Sequence, residues 1–266
     1  MPGSHRPTRR NLRRARDRWL GGRRGILRRR DGQAFVVSLA GVERGMSRSL
    51  RTGFCVSGEG RLFREAVAHQ ARLGITPVLL VAERKASASL DAFCLEHGIA
   101  CVRPSPAPRE LFDEELTRAC VDADLDLLSL TFDKLLPPGL VSHYRGRIVN
   151  VHPGLLPAFR GMRAIDRVVA SDSRFAGATV HEVDEGMDTG PIVAQCVLGV
   201  RRGESAVELG ARLFELLRPM YLQVLGWYAQ GRVFHDEGGR VWVRDATYGQ
   251  LPISPSVELD LGDGRR

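Results

Sequence analysis

From residue 52 onward, short apolar runs alternate with segments whose apolar residues recur every three or four positions. Residues 53–57, 76–82, 100–103, 125–130, 147–151, 177–183 and 192–200 form runs bounded by polar or turn residues, and they read as buried strands. Between them, the stretch 62–73 places apolar side chains at 62, 63, 66, 67 and 73, which is one face of a helix. Residues 89–97 stop before Gly98, a residue suited to a helix end. Two more helical patterns cover 109–123 and 205–230, the second long and amphipathic. Continuous apolar strands alternating with helices predict an α/β domain whose mostly parallel sheet is covered by helices on both faces. Such sheets bind ligands beyond the carboxyl ends of their strands. After Arg232, "RVFHDEGGRVWVRD" predicts a short hairpin, followed by a tail containing prolines and acids.

Composition refines this picture. The 266 residues are 43% hydrophobic and 26% charged, a globular balance. No apolar stretch approaches the roughly 20 residues that cross a bilayer, so no membrane partner is expected. The five cysteines are scattered without a CxxC pair, which points to a reducing cytoplasm and away from a disulfide framework or zinc site. The net charge of +8 is unevenly spread, because residues 1–51 hold fifteen Arg against three acids while the rest is mildly acidic. The reading is therefore a basic, extended or disordered arm over 1–51, a domain over 52–232, and a hairpin and tail over 233–266. Nucleic-acid binding would rest on the arm alone. Within it, "TRRNLR" is faintly similar to a twin-arginine export signal, and Met46 offers a second start just before the first strand.

One stretch carries chemistry, "IVNVHPGLLPAFRG" over 148–161. Asn150 and His152 close the fifth predicted strand at its carboxyl end and alternate with Val151, so both lean to one side. Pro153 and Pro157 stiffen the exit. An amide donor beside an imidazole suits carbonyl chemistry, the amide meeting negative charge on oxygen and the imidazole moving a proton. The alternative is a polar cap on a strand end, and these residues alone leave both open. A second stretch, "GATVHEVDEGMDTGPIVAQ" over 177–195, puts Asp184, Glu185 and Asp188 in one glycine-flanked loop. A carboxylate there could orient a histidine, or the loop could be a solvated acidic turn. His152, His181 and His235 lack the spacing of metal ligands, so no metal is expected, and His181 reads as an ordinary strand histidine.

"NVHPGLLPAFRG" followed about 25 residues later by "DEGMDTGP" resembles the folate-dependent formyltransferase family. That family includes glycinamide ribonucleotide transformylase, methionyl-tRNA formyltransferase and formyltetrahydrofolate deformylase. The resemblance runs from about Thr52 to Arg232. It implies a Rossmann-like formyltransferase fold and 10-formyltetrahydrofolate as donor. Asn150, His152 and Asp188 would be catalytic. "LSLTFDKLLPPGLV" matches the family's pterin loop, so Phe132, Asp133, Lys134, Leu135 and Leu136 would bind the donor, closed from the other side by Val183, Asp184 and Glu185. Asp133-Lys134 departs from the Met-Arg type of pair usual there.

The acceptor side departs further. "SGEGRLF" resembles the transformylase phosphate loop, which makes Gly58, Gly60 and Arg61 candidate substrate contacts, but Arg61-Leu62 replaces its Ser-Asn pair. Leu216 and Leu217 stand where Gln and Glu are expected, and "RGMRA" replaces "GLHT". The expected activity is therefore formyl transfer to another small-molecule amine, an amino sugar or biosynthetic intermediate. Glycinamide ribonucleotide transformylase and formyltetrahydrofolate deformylase are the alternatives. A folate-binding protein without catalysis is disfavoured by the intact Asn150, His152 and Asp188.

Overall fold

The computed structural model describes residues 49–260 and, before them, the backbone of two short strands, β1 (Gly25–Arg28) and β2 (Ala34–Val37). These two pair antiparallel within a unit of their own, Met1–Arg48. The rest of the expected arm up to residue 48 lies outside the described residues.

In the second unit, β3 (Leu50–Val56) already begins two residues before the expected domain start at residue 52. It lies between β4 (Ile75–Ala82) and β6 (Leu127–Thr131), parallel to both. β5 (Ala100–Val102) extends the sheet beyond β4, and β7 (Ile148–His152) extends it beyond β6, again in parallel. β8 (Phe175–Glu182) and β9 (Ile192–Gly199) follow antiparallel. The eight-stranded order is β12-β9-β8-β7-β6-β3-β4-β5, where β12 is the pair Ile253–Ser254 near the carboxyl terminus. The chain reverses its direction of winding between β3 and β6, and at such a switch point the strand exits splay apart and leave a crevice.

The helices follow from the same periodicity. α1 (Arg61–Ala68) and α2 (Gln70–Leu73) share the expected helical stretch but separate at His69, which leaves helical geometry. α3 (Ser89–Glu96) and α4 (Arg109–Asp122) stand where apolar spacing places them. Two short helices, α5 (Pro138–His143) and α6 (Ala164–Val169), are too brief for periodicity to announce. α7 (Ala206–Ala229) opens with a capping box: the Ser205 hydroxyl accepts from Glu208 N–H, and the Glu208 carboxylate accepts from Ser205 N–H.

Strand alternation divides the core into two layers. Phe54 and Val56 join Phe63, Leu90, Tyr221 and Trp227 on the α1, α3 and α7 side. Cys55 joins Leu79, Val81, Phe112, Leu116 and Tyr144 on the α4 and α5 side. The Ser129 hydroxyl and the Tyr221 phenol hydrogen-bond at 2.8 Å where α7 crosses the sheet. A separate two-stranded ribbon, β10 (Val233–His235) and β11 (Val241–Val243), follows α7. The chain then returns to the sheet. β12 pairs with Gln195 and Cys196, and the buried Gln223 carbonyl accepts from the N–H groups of Glu258 and Leu259.

Candidate active site

Three side chains project from one face where β7 meets β8. Asn150 and His152 are two residues apart on β7, and the antiparallel register sets His181 of β8 directly opposite Asn150. His152 and His181 are 4% and 2% exposed, so their ring nitrogens must find partners within the protein.

The loop leaving β8 folds back over that face and brings Asp188 to it. One carboxylate oxygen, Oδ2, is 3.2 Å from His152 Nδ1 and also accepts from the Gly161 N–H at 2.8 Å. The other, Oδ1, is 3.5 Å from His181 Nε2. Asp188 holds a left-handed backbone (φ 53°), a conformation a non-glycine residue keeps only when its surroundings impose it. The return is tight because a side chain on Gly190 would place its Cβ 1.9 Å from the Glu182 carbonyl oxygen.

On its other side, His152 Nε2 is 2.9 Å from the Phe159 carbonyl oxygen. Both ring nitrogens thus face acceptors, the Asp188 carboxylate on one side and the Phe159 carbonyl on the other. Gly154 makes room for the ring, since a Cβ there would lie 2.6 Å from Nε2. Burial pushes His181 below the ordinary histidine range and keeps it neutral. Its Nδ1–H donates to the Glu182 carbonyl at 2.8 Å, which leaves Nε2 as an acceptor for the Asn150 amide N–H at 3.3 Å. The 3.5 Å approach of Asp188 to that nitrogen is then a close contact between two acceptors, not a hydrogen bond. The Asn150 carbonyl oxygen is buried without a protein partner. Asn150 therefore retains one N–H and one carbonyl oxygen for a bound molecule.

The loop after β7 is anchored at its base. The Thr179 hydroxyl donates to the Gly154 carbonyl at 2.8 Å and accepts from the Leu156 N–H at 3.1 Å. The Gln195 amide donates to the Leu156 carbonyl at 2.8 Å and to the Thr179 hydroxyl at 3.1 Å.

Asn150, His152, His181 and Asp188 line a cavity of about 660 Å³ at the exits of β3, β6 and β7. Its walls include Phe132, Asp133, Lys134, Leu135 and Leu136 from the exit of β6, and Val183, Asp184 and Glu185 from the loop after β8. Every residue expected to bind the donor therefore borders the same cavity as Asn150, His152 and Asp188. Asp133 and Lys134 point their charges at neighbours: Asp133 accepts from the Ser57 hydroxyl at 2.9 Å and pairs with Lys85, while Lys134 lies 3.3 Å from Glu83.

The expected acceptor contacts are not gathered in this way. Ser57 and Leu62 line the cavity, but Gly58, Gly60 and Arg61 do not. Gly60 caps α1 in the left-handed conformation (φ 66°), and the Arg61 guanidinium stacks 3.6 Å above the Phe214 ring. His181, read from sequence as an ordinary strand residue, sits inside the cluster. Its place beside Asn150 depends on strand register, which a single sequence does not disclose.

The formyl transferase family model matches residues 51–225 of the chain. The chain is 31% identical over 195 residues to the trifunctional purine biosynthetic protein adenosine-3 of Drosophila pseudoobscura pseudoobscura, covering 68% of this chain but only 14% of that protein. It is 33% identical over 151 residues to phosphoribosylglycinamide formyltransferase of Escherichia coli (strain K12), covering 54% of this chain and 71% of the relative. Among solved structures, glycinamide ribonucleotide transformylase 1 from Symbiobacterium toebii superposes with a TM-score of 0.71 at 26% identity, covering 78% of this chain and all of the other.

Proposed function

We propose that the chain, which belongs to the formyl transferase family, moves a formyl group from 10-formyltetrahydrofolate to the primary amine of a small-molecule acceptor. The observation that supports this most is the joining of Asn150, His152, Asp188 and His181 at one end of a largely apolar cavity at the sheet's switch point. The donor supplies an activated formyl carbon. In this reading the donor's flat heterocycle lies between the loop 132–136 and the loop 183–185, both of which line the cavity.

The residues divide the work as follows. The acceptor nitrogen attacks the formyl carbon, and negative charge develops on the formyl oxygen. The remaining Asn150 N–H meets that charge, while the free Asn150 carbonyl oxygen accepts from the incoming amine. His152 releases its Nε2–H from the Phe159 carbonyl and offers it to the same oxygen. Asp188 holds the imidazole in place through Nδ1, and takes part in passing the amine's proton to the departing folate nitrogen. His181 fixes which way the Asn150 amide faces.

Relatives named phosphoribosylglycinamide formyltransferase favour glycinamide ribonucleotide as the acceptor. A second reading, another amine such as an amino sugar or a biosynthetic intermediate, is favoured by the acceptor side itself, where Arg61 is stacked on Phe214 and Leu62 borders the cavity. The deciding experiment follows release of tetrahydrofolate from 10-formyltetrahydrofolate with glycinamide ribonucleotide, with a pool of amines and amino sugars, and with neither. Release with the ribonucleotide supports the first acceptor, and release only with the pool supports the second. Release with neither present indicates hydrolysis, and silence in all three defeats the proposal.

A further inference from the structure

The loop from Phe159 to Gly161 supplies both outer partners of the His152–Asp188 pair. The Phe159 carbonyl faces His152 Nε2, and the Gly161 N–H donates to Asp188. Three successive carbonyls of this loop, those of Phe159, Arg160 and Gly161, converge on one guanidinium nitrogen of Arg167, at 2.6, 2.5 and 3.4 Å. Converging carbonyl dipoles repel one another unless a cation lies between them; the two N–H groups of this nitrogen serve the Phe159 and Arg160 carbonyls, and the Gly161 carbonyl is a longer third contact. Arg167 stands on α6, one turn beyond Arg163, and both Phe159 (φ 55°) and Arg163 (φ 57°) hold left-handed backbone. Such positions persist when surrounding contacts over-determine them. Among the described residues, no carboxylate forms an ion pair with Arg167, so its charge is committed to the loop.

We infer that Arg167 is a positioning residue for the reaction: it shares the Phe159 carbonyl with His152 and holds the loop that sets the His152–Asp188 geometry. The Phe159 oxygen faces two nitrogens, His152 Nε2 at 2.9 Å and one of the Arg167 guanidinium at 2.6 Å. With Arg167 in place, that oxygen is kept at the imidazole while one of its lone pairs is engaged elsewhere. His152 Nε2–H is thus aimed but not tightly held, and the formyl oxygen competes for it. A lysine in the same place carries the charge, but its side chain is one atom shorter and its ammonium stops short of the Nη2 position.

This assignment rests on the proposed role of His152, so the test carries one readout that needs no turnover. In the full chain, the ¹⁵N resonances of the His152 imidazole, identified through His152→Ala, are compared in wild type, Arg167→Ala and Arg167→Lys. Arg167→Ala is expected to shift the Nε2 resonance and to lower kcat by about 10-fold to 10²-fold, the scale of a small misplacement of a reacting group. The KM for 10-formyltetrahydrofolate should stay within about twofold, since the donor walls are untouched. Millimolar guanidinium chloride should restore part of the kcat of Arg167→Ala where equal sodium chloride does not, and Arg167→Lys should fall between the two. An unchanged His152 resonance in folded Arg167→Ala overturns the inference, as does a rise in KM at constant kcat. Should Arg167→Ala fail to fold, Arg167→Lys with wild-type resonance and kcat overturns it equally. A wild-type protein that transfers to no acceptor defeats the proposed function, and the resonance comparison still decides the role of Arg167.

Discussion

At the scale of the residue, His152 is defined by what touches each of its nitrogens, Asp188 on one side and the Phe159 carbonyl on the other. Removing a partner should therefore cost rate more than donor affinity. His152→Ala and Asp188→Ala are each expected to lower kcat by roughly 10³-fold or more with donor binding largely kept, and Asn150→Ala by about 10²-fold, the scale seen for single oxyanion donors. Single-turnover kinetics with a donor-binding titration checks this, and near-normal rates in any of the three would remove that residue from the mechanism. Gly154 makes a sharper case because nothing chemical is deleted. A methyl group there meets rigid ring atoms of His152 and not a flexible side-chain end. Gly154→Ala should lower kcat about as far as His152→Ala and cost about 1–3 kcal/mol of stability through overpacking. A variant with full activity would mean that the ring works from another position.

At the scale of the element, strands that read clearly in the sequence give the site its floor, and short or irregular segments give it its walls. The five parallel strands and the long α7 lie close to where apolar runs and helical spacing put them. α5, α6 and β12 have six residues or fewer, too few for periodicity to act on, and were not expected. β12 has a measurable consequence. Ending the chain after Gln250 removes its pairing with β9 and strips the Gln223 carbonyl of both main-chain donors, although Gln223 is buried. An unsatisfied buried polar group costs about 1–3 kcal/mol. The truncated chain should melt several degrees lower by calorimetry, while its KM for the donor stays close to the full chain's. An unchanged melting temperature would show that the tail is not a structural strap.

At the scale of the whole molecule, two histidines and two carboxylates shift in the same direction, downward. Burial holds His181 and His143 below the ordinary value of 6.5. The unfolded chain therefore binds protons near pH 6.5 that the folded chain refuses, and stability falls as the pH drops through that region. Asp91 is held low by Arg103, and Glu258 by Arg232. Their contributions, present above the unfolded carboxylate values, disappear on further acidification. Thermal melts should show a lower melting temperature at pH 5.5 than at pH 7.5, with a smaller difference in His181→Gln. An equal difference in that variant would assign the effect to other groups. Removing residues 1–45 is expected to leave kcat and KM unchanged, since every residue of the candidate site lies beyond them. A truncated chain without activity would place the arm in the fold or the site.

The sequence by itself determined the α/β class, the places of the main strands along the chain and, through its two motifs, the family. Those features are written in local periodicity and in side chains close along the chain. The loops 132–136 and 183–185 border the same cavity as Asn150, His152 and Asp188, and each is a continuous stretch following one strand. Only the tertiary structure decided that His181 meets Asn150, that Phe159 lends its carbonyl to His152, that Arg167 gathers three carbonyls, and that Arg61 stacks on Phe214 away from the cavity. Each depends on register between strands or on the backbone path of an irregular loop. Those are long-range properties, and hydrophobic spacing along one chain carries no record of them.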